Sequence, residues 1–238
     1  MMGVTQVKFN RKPCLVLSIT DKEPNETIAS LDVDVLEVRV DQFDKYLPDY
    51  VCHELSKRKA IGLPVILTVR NDPSEGGRCG ISDDEKVHIF EVAGRLVDIF
   101  DVELSSPVKS AVVDLAKKYG ARVVVSTHNL EYTPPDIVLA GILKEALNSG
   151  ADIVKIATKA NSMDDVKRLL EFTLKNENDN IVTISLGRLG AISRLVFPMA
   201  GSLLTYTYMD KPTAEGQIRV DVLKEDLRRY YPDYKNRG

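Results

Sequence analysis

Short runs of β-branched and aliphatic residues alternate along the chain with longer segments whose apolar residues recur at helical spacing. The runs are Cys14–Ile19, Val35–Asp41, Pro64–Arg70, Val97–Leu104, Arg122–His128, Asp152–Thr158, Ile181–Leu186 and Ser202–Tyr208, eight candidate strands. Helical patterns fill Ser82–Leu96, Ser106–Tyr119, Pro134–Ser149 and Ser162–Lys175, and Gly120 and Gly150 supply stops before the next strand. Alternation of strand and helix predicts parallel βαβ units, and about eight of them in 238 residues predict a (β/α)8 TIM barrel forming a single domain over residues 1–238. A doubly wound open sheet fits less well. No Gly-x-Gly-x-x-Gly follows an early strand, and no Gly-Lys-Ser/Thr phosphate loop is present.

The strands also split by side. Side chains alternate across a strand, so Leu36, Val38 and Val40 oppose Glu37, Arg39 and Asp41, and Phe100, Val102 and Leu104 oppose Asp101 and Glu103. Likewise Leu67 and Val69 oppose Thr68 and Arg70, Ser126 shares a face with His128, and Lys155 shares one with Ala157. With the aliphatic faces packed on outer helices, the polar faces look into the barrel, toward the strand ends where barrel enzymes build their sites. Glu37, Arg39, Arg70, Asp101, Glu103, His128 and Lys155 are therefore expected to form one network. Buried charges are costly unless paired, and so many from five strands are hard to explain by structure alone.

Composition narrows the class. The chain is 44% hydrophobic, enough for a substantial core, and its 32 Lys and Arg are interspersed among 35 Asp and Glu, for a net charge of −3. No basic block points to nucleic acid or an anionic membrane. Cys14, Cys52 and Cys79 are odd in number and form no Cys-x-x-Cys pair, as reduced thiols in a cytoplasm would. The first residues lack the apolar segment of a secretory signal, and no apolar run is long enough to cross a bilayer. A soluble cytoplasmic protein is expected.

The chemistry centres on Lys155, an ammonium in the middle of an apolar strand. It must either pair with a carboxylate or react. Partly desolvated beside Arg39 and Arg70, its neutral amine becomes easier to reach, and a neutral amine attacks ketones. The resulting protonated imine is an electron sink that acidifies the neighbouring carbon. His128 can remove that proton and return it to a leaving group. The other histidines, His53 and His88, sit in helical segments without zinc spacing and read as structural or surface residues. In the loop after the third strand, Gly76 and Gly77 allow the backbone to bring Glu75 to His128, where it would fix the imidazole tautomer. The segment Gly187-Arg188-Leu-Gly190-Ala-Ile-Ser193-Arg194 opens a helix after the seventh strand, and Arg194 there suits a carboxylate.

Taken together, Glu37-Val-Arg39-Val-Asp41, Thr68-Val-Arg70, Glu75-Gly-Gly, Asp101-Val-Glu103, Ser126-Thr-His128-Asn129 with Thr133-Pro134, Ala151-Asp-Ile-Val-Lys155-Ile-Ala, Gly190-Ala-Ile-Ser-Arg194 and Gly216-Gln217 closely resemble the type I 3-dehydroquinate dehydratase family in order and spacing. The resemblance implies a barrel enzyme of the shikimate pathway that dehydrates 3-dehydroquinate to 3-dehydroshikimate by syn elimination. Lys155 would form the imine, with His128 as base and then acid and Glu75 as its partner. Glu37, Arg39, Arg70, Arg194, Gln217, Thr213 and Tyr206 would contact substrate. Neither cofactor nor metal is implied, the small-molecule substrate is the expected partner, and a homodimer is the expected assembly.

This chain departs from the family pattern in places. Ile184 and Leu186 stand where methionines are common, and Tyr206 is its version of the aromatic on the last strand. Glu215 stands where a proline usually precedes Gly216-Gln217, which predicts a more mobile or open lid. The segment before Cys14 is short for a barrel-floor hairpin. A class I aldolase would share the lysine and fold, but it needs a phosphate site that Ser202-Leu-Leu-Thr-Tyr206 does not resemble. A quinate-sensing module derived from the dehydratase predicts loss of Lys155 or His128, and both are present.

Overall fold

The computed structural model describes residues 13–77, 80–232 and 234. Most of the segment before Cys14, with its expected lack of a floor hairpin, and Cys79 lie outside the described residues. The strands are β1 Cys14–Ile19, β2 Val35–Arg39, β3 Val65–Thr68, β4 Ile99–Glu103, β5 Arg122–Asn129, β6 Ile153–Lys159, β7 Ile181–Leu186, β8 Leu204–Tyr208 and β9 Ile218–Arg219. The helices are α1 Asn25–Ser30, α2 Pro48–Lys59, α3 Asp83–Ala93, α4 Lys109–Tyr119, α5 Asp136–Asn148, α6 Met163–Lys175, α7 Gly187–Gly190, α8 Ser193–Val196 and α9 Val220–Tyr230. All eight expected strands are present. The second is shorter than read, because Val40–Gln42 turns into a 3-10 segment directly after Arg39.

Every strand pairs in parallel with its neighbours, in the order β7-β6-β5-β4-β3-β2-β1-β8-β9. The circle closes between β7 and β8. Leu203 N, just before β8, donates to Ile181 O at 2.8 Å, and Thr183 N on β7 donates to the Ser202 hydroxyl at 3.0 Å. The sheet thus curls into a (β/α)8 barrel whose seam is part backbone and part serine. Local signals drive the helices: Ser82 and Glu85 form a capping box at α3, Ser162 and Asp165 do so at α6, and α4 ends in Gly120 at φ 71°.

Outside the sheet, Leu36, Val38, Leu67, Val69, Phe100, Val102, Val125, Val154 and Ile156 pack beneath the helices, each burial worth roughly 1.5–3 kcal/mol. Inside, a separate apolar layer of Val16, Val35, Ile66, Ile99, Val124, Ile153, Val182 and Leu204 plugs the floor. Two residues further along these strands, the same inward face turns polar except on β7, where Ile184 keeps it apolar. Register sets Ser126 beside Lys155 and His128 beside Ala157, so His128 stands one inward position above the lysine's strand level.

Candidate active site

The inward residues converge on one cavity of about 420 Å³, lined among others by Glu37, Arg39, Arg70, Glu75, His128, Lys155, Arg194, Tyr206, Thr213 and Gln217. Lys155 sits at its base, 3% exposed. Its Nζ lies 3.1 Å from Glu37 Oε1 and 3.2 Å from Asp101 Oδ2, with the Tyr206 ring centroid 4.2 Å away. Its nearest charges are therefore carboxylates. The two arginines expected to crowd it are themselves engaged: Arg39 clasps Asp41 with two bonds of 3.0 and 2.6 Å, and Arg70 Nη2 donates to Asp101 Oδ1 at 2.8 Å.

Glu37 and Asp101 are in turn fixed. Ser18 donates to Glu37 Oε2 at 2.6 Å, and Ser126 donates to Asp101 Oδ1 at 2.7 Å. Burial pushes both carboxyls up, but the neighbouring cations, Lys155 with Arg39 for Glu37 and Lys155 with Arg70 for Asp101, hold both below the ordinary carboxylate value. Two ionised carboxylates thus place negative charge on two sides of one nitrogen. The aromatic face of Tyr206 adds a cation–π contact of the same sign.

Glu75 reaches this cluster from the loop after β3. Asp72 caps the turn by accepting from Ser74 N at 2.8 Å, and Gly76 takes a left-handed φ of 84°. A Cβ on Gly77 would lie 2.7 Å from Arg70 O, so only glycine lets the loop fold back this closely. Glu75 Oε2 accepts from His128 N at 3.0 Å and faces His128 Nδ1, also at 3.0 Å, while Ser105 donates to its other oxygen at 2.9 Å. Burial, followed by the Arg70, Lys155 and Arg39 cations, holds the imidazole well below its ordinary value of 6.5. Burial raises the Glu75 carboxyl to about 7. Both directions describe a neutral imidazole whose Nδ1 is committed to Glu75, leaving Nε2 for chemistry.

Arg194 is different from the other cations. It is 2% exposed, yet among the described residues it has no carboxylate within ion-pair distance. Its Nη1 donates to Ser185 O at 3.1 Å and Ser193 Oγ at 2.9 Å, and its Nε has no hydrogen-bond partner. Burial alone lowers it to about 9. A buried guanidinium balanced only by neutral oxygens has the charge and the free donors that an anion would satisfy.

The loop before β9 covers the mouth. Gln217 Oε1 accepts from Thr213 N at 2.7 Å and Ala214 N at 3.3 Å, which closes the loop on itself. Glu215, in place of the proline, is engaged on both sides of this lid. Its carboxylate pairs with Lys159, and its backbone oxygen accepts from Gly187 N at 3.2 Å, so the residue replacing proline ties the lid to β6 and to the turn after β7.

The structure brings all the site residues named from the sequence to this cavity, and five of the seven network charges line it, with Asp101 bonded to two of them, Lys155 and Arg70. Glu103 does not join them. Its carboxylate turns under the β3 loop to Lys86 of α3, at 2.5 Å. Lys86 and Lys159 escaped the sequence reading, although both carried a signal. Lys159 continues the inward alternation of Lys155 and Ala157, and Lys86 occupies a core position one turn before Ile89 and Phe90. Among the described residues no group of three His, Cys, Asp or Glu is placed to hold a metal ion.

A profile described as Type I 3-dehydroquinase matches residues 14–232. The 3-dehydroquinate dehydratase of Methanocella arvoryzae is 39% identical over 216 residues, covering 91% of this chain and 96% of its own. The crystal structure of the Aquifex aeolicus 3-dehydroquinate dehydratase superposes with a TM-score of 0.82 at 34% identity, over 92% of this chain and 99% of that one. The type I enzyme of Clostridium difficile, solved with covalently modified comenic acid, gives 0.85 at 29% identity over 95% of both chains. The chain belongs to the type I 3-dehydroquinase family.

Proposed function

We propose that this enzyme dehydrates 3-dehydroquinate to 3-dehydroshikimate in the shikimate pathway to aromatic amino acids, through an imine on Lys155. The observation that carries the reading is Lys155 Nζ held between Glu37 and Asp101 in the same cavity as a Glu75-oriented His128. Arg194, the buried cation without a carboxylate partner, receives the substrate carboxylate. Glu37, Arg39 and Arg70 engage ring hydroxyls, and Thr213 and Gln217 close over them.

A neighbouring carboxylate relays a proton from the Lys155 ammonium to the ring ketone oxygen as the freed amine adds to the carbonyl carbon. The carbinolamine loses water, giving an iminium cation stabilised by Glu37, Asp101 and the Tyr206 face. His128 Nε2 removes a proton from the adjacent carbon, and the electron pair moves to the iminium nitrogen as an enamine. The enamine expels the β-hydroxyl, which takes the proton from His128 and leaves as water. Hydrolysis of the remaining imine releases the conjugated enone and restores the amine. One base serving both transfers from one face makes the elimination syn.

A homodimer in the cytoplasm and a single domain over residues 1–238 complete the reading. Among the described residues all nine strands belong to one sheet, and no helix is long and apolar enough to cross a membrane. Enone absorbance in the ultraviolet tests the chemistry. His128→Ala should leave borohydride-trappable imine while kcat falls about 10²–10⁴-fold. Undiminished enone production by that variant would contradict the assignment.

A further inference from the structure

Lys86 is fully buried and takes no part in the chemistry above. It sits on the core face of α3, with Ile89, Phe90 and Ala93, where the neighbouring positions are filled by apolar residues. A buried ammonium is retained at a penalty, so its partners are informative. Its Nζ donates to Glu103 Oε2 at 2.5 Å and to Asn71 Oδ1 at 3.0 Å. Glu103 uses its other oxygen to accept from Asn71 N at 3.2 Å. Asn71 Nδ2 donates to Ile81 O at 3.2 Å and Asp83 Oδ1 at 3.3 Å. One ammonium therefore joins the end of β4, the start of α3 and the first residue of the loop that carries Glu75. Ser105, two residues beyond Glu103, donates directly to Glu75 Oε1.

Resting on the function proposed above, we infer that Lys86 is a positioning residue for the proton-transfer half of the reaction. It locks the root of the loop at Asn71 and the strand end at Glu103, and these two supports fix Glu75 against His128. Lys155 is held by Glu37 on β2 and by Asp101, which precedes Glu103 on β4 but turns to a different lysine, and among the described residues neither carboxylate bonds to Lys86 or Asn71. Imine formation and elimination are thus supported by separate anchors, and disturbing Lys86 should slow only the second.

Lys86→Met alone strands the Glu103 charge and risks unfolding, so the informative variants are Lys86→Met/Glu103→Gln, which removes both charges, and Asn71→Ala, which keeps the ion pair but cuts the bridge. Each is assayed for the rate of borohydride-trapped adduct formation with 3-dehydroquinate, for kcat, and for kcat in a Glu75→Gln background. Displacing a catalytic group by a fraction of its working distance should lower kcat about 10- to 100-fold while the trapping rate is retained. Because the lock acts through Glu75, the same changes should cost less than about 2-fold more once Glu75 is Gln, whereas independent effects multiply. Losses that multiply in the Glu75→Gln background, or trapping that slows in step with kcat, would overturn the inference. Absence of any adduct in the unmodified enzyme would overturn the imine reading instead.

Discussion

Two buried lysines, Lys155 in the barrel mouth and Lys86 beneath the β3 loop, face carboxylates across short distances and yet occupy opposite kinds of environment. Lys155 is placed between Glu37 and Asp101, 3.1 and 3.2 Å away, and also borders a cavity of about 420 Å³ with an aromatic face over its nitrogen. Lys86 has its bonds to Glu103 and Asn71; those partners line a second cavity of about 200 Å³, but Lys86 itself is not among its lining residues. Pairing by itself therefore does not mark a lysine as structural. What separates the two is room for a ketone at the nitrogen, together with a base at hydrogen-bonding reach of the same space.

The sharpest way to break this contrast is to delete each amine. Lys155→Ala is expected to lower kcat/KM by roughly 10⁴–10⁶-fold, read from enone formation, since the covalent path disappears. Lys86→Met should instead show in stability, with denaturant unfolding reporting a loss of about 3–5 kcal/mol from the uncompensated Glu103. A folded, fully stable Lys86→Met protein would show that the lower pair is not the strut described.

Smaller effects refine the mouth. Arg194→Gln should raise KM about 10- to 100-fold with less change in kcat, because a charge-assisted carboxylate contact is removed. An unchanged KM would move the carboxylate elsewhere. For pH, the Glu75 carboxyl is raised to about 7 and takes up a proton below that point, which leaves His128 Nδ1 facing a neutral acid instead of a carboxylate. The acid limb of kcat/KM should therefore lie near pH 7. In Glu75→Gln only the depressed imidazole remains, so the limb should drop below 6.5. A limb unmoved by that substitution would separate Glu75 from the base. The smallest change concerns the lid. Glu215 is 62% exposed in its pair with Lys159, so Glu215→Gln should alter kcat/KM by no more than about 5-fold and remove a salt-sensitive component.

Most of the mouth was legible because period-two alternation in a two-sided barrel leaves little choice. Once Leu36 and Val38 face the helices, Glu37 and Arg39 must face inward, and the same holds for Asp101 and Lys155. The alternation failed at Glu103, the last residue of β4, because side chains at a strand end can turn toward the next loop. Its partner Lys86 lies on a different element and leaves no trace of the pairing in local sequence. The lid contacts were hidden for a related reason: the loss of a proline says that a loop has more freedom, whereas the partners of Glu215, Lys159 and Gly187, come from residues far away in the chain. Helix α9 was readable in principle, since Val220, Leu223 and Leu227 share one buried face, but its charged remainder masks the pattern.

The central claim is that Lys155, alone among the three lysines around this site, attacks the substrate ketone. Borohydride reduction with 3-dehydroquinate, followed by proteolysis and mass mapping, should place one adduct on the peptide containing Lys155, with Lys86 and Lys159 unmodified. An adduct on Lys159, or inactivation without any adduct on Lys155, would contradict the account.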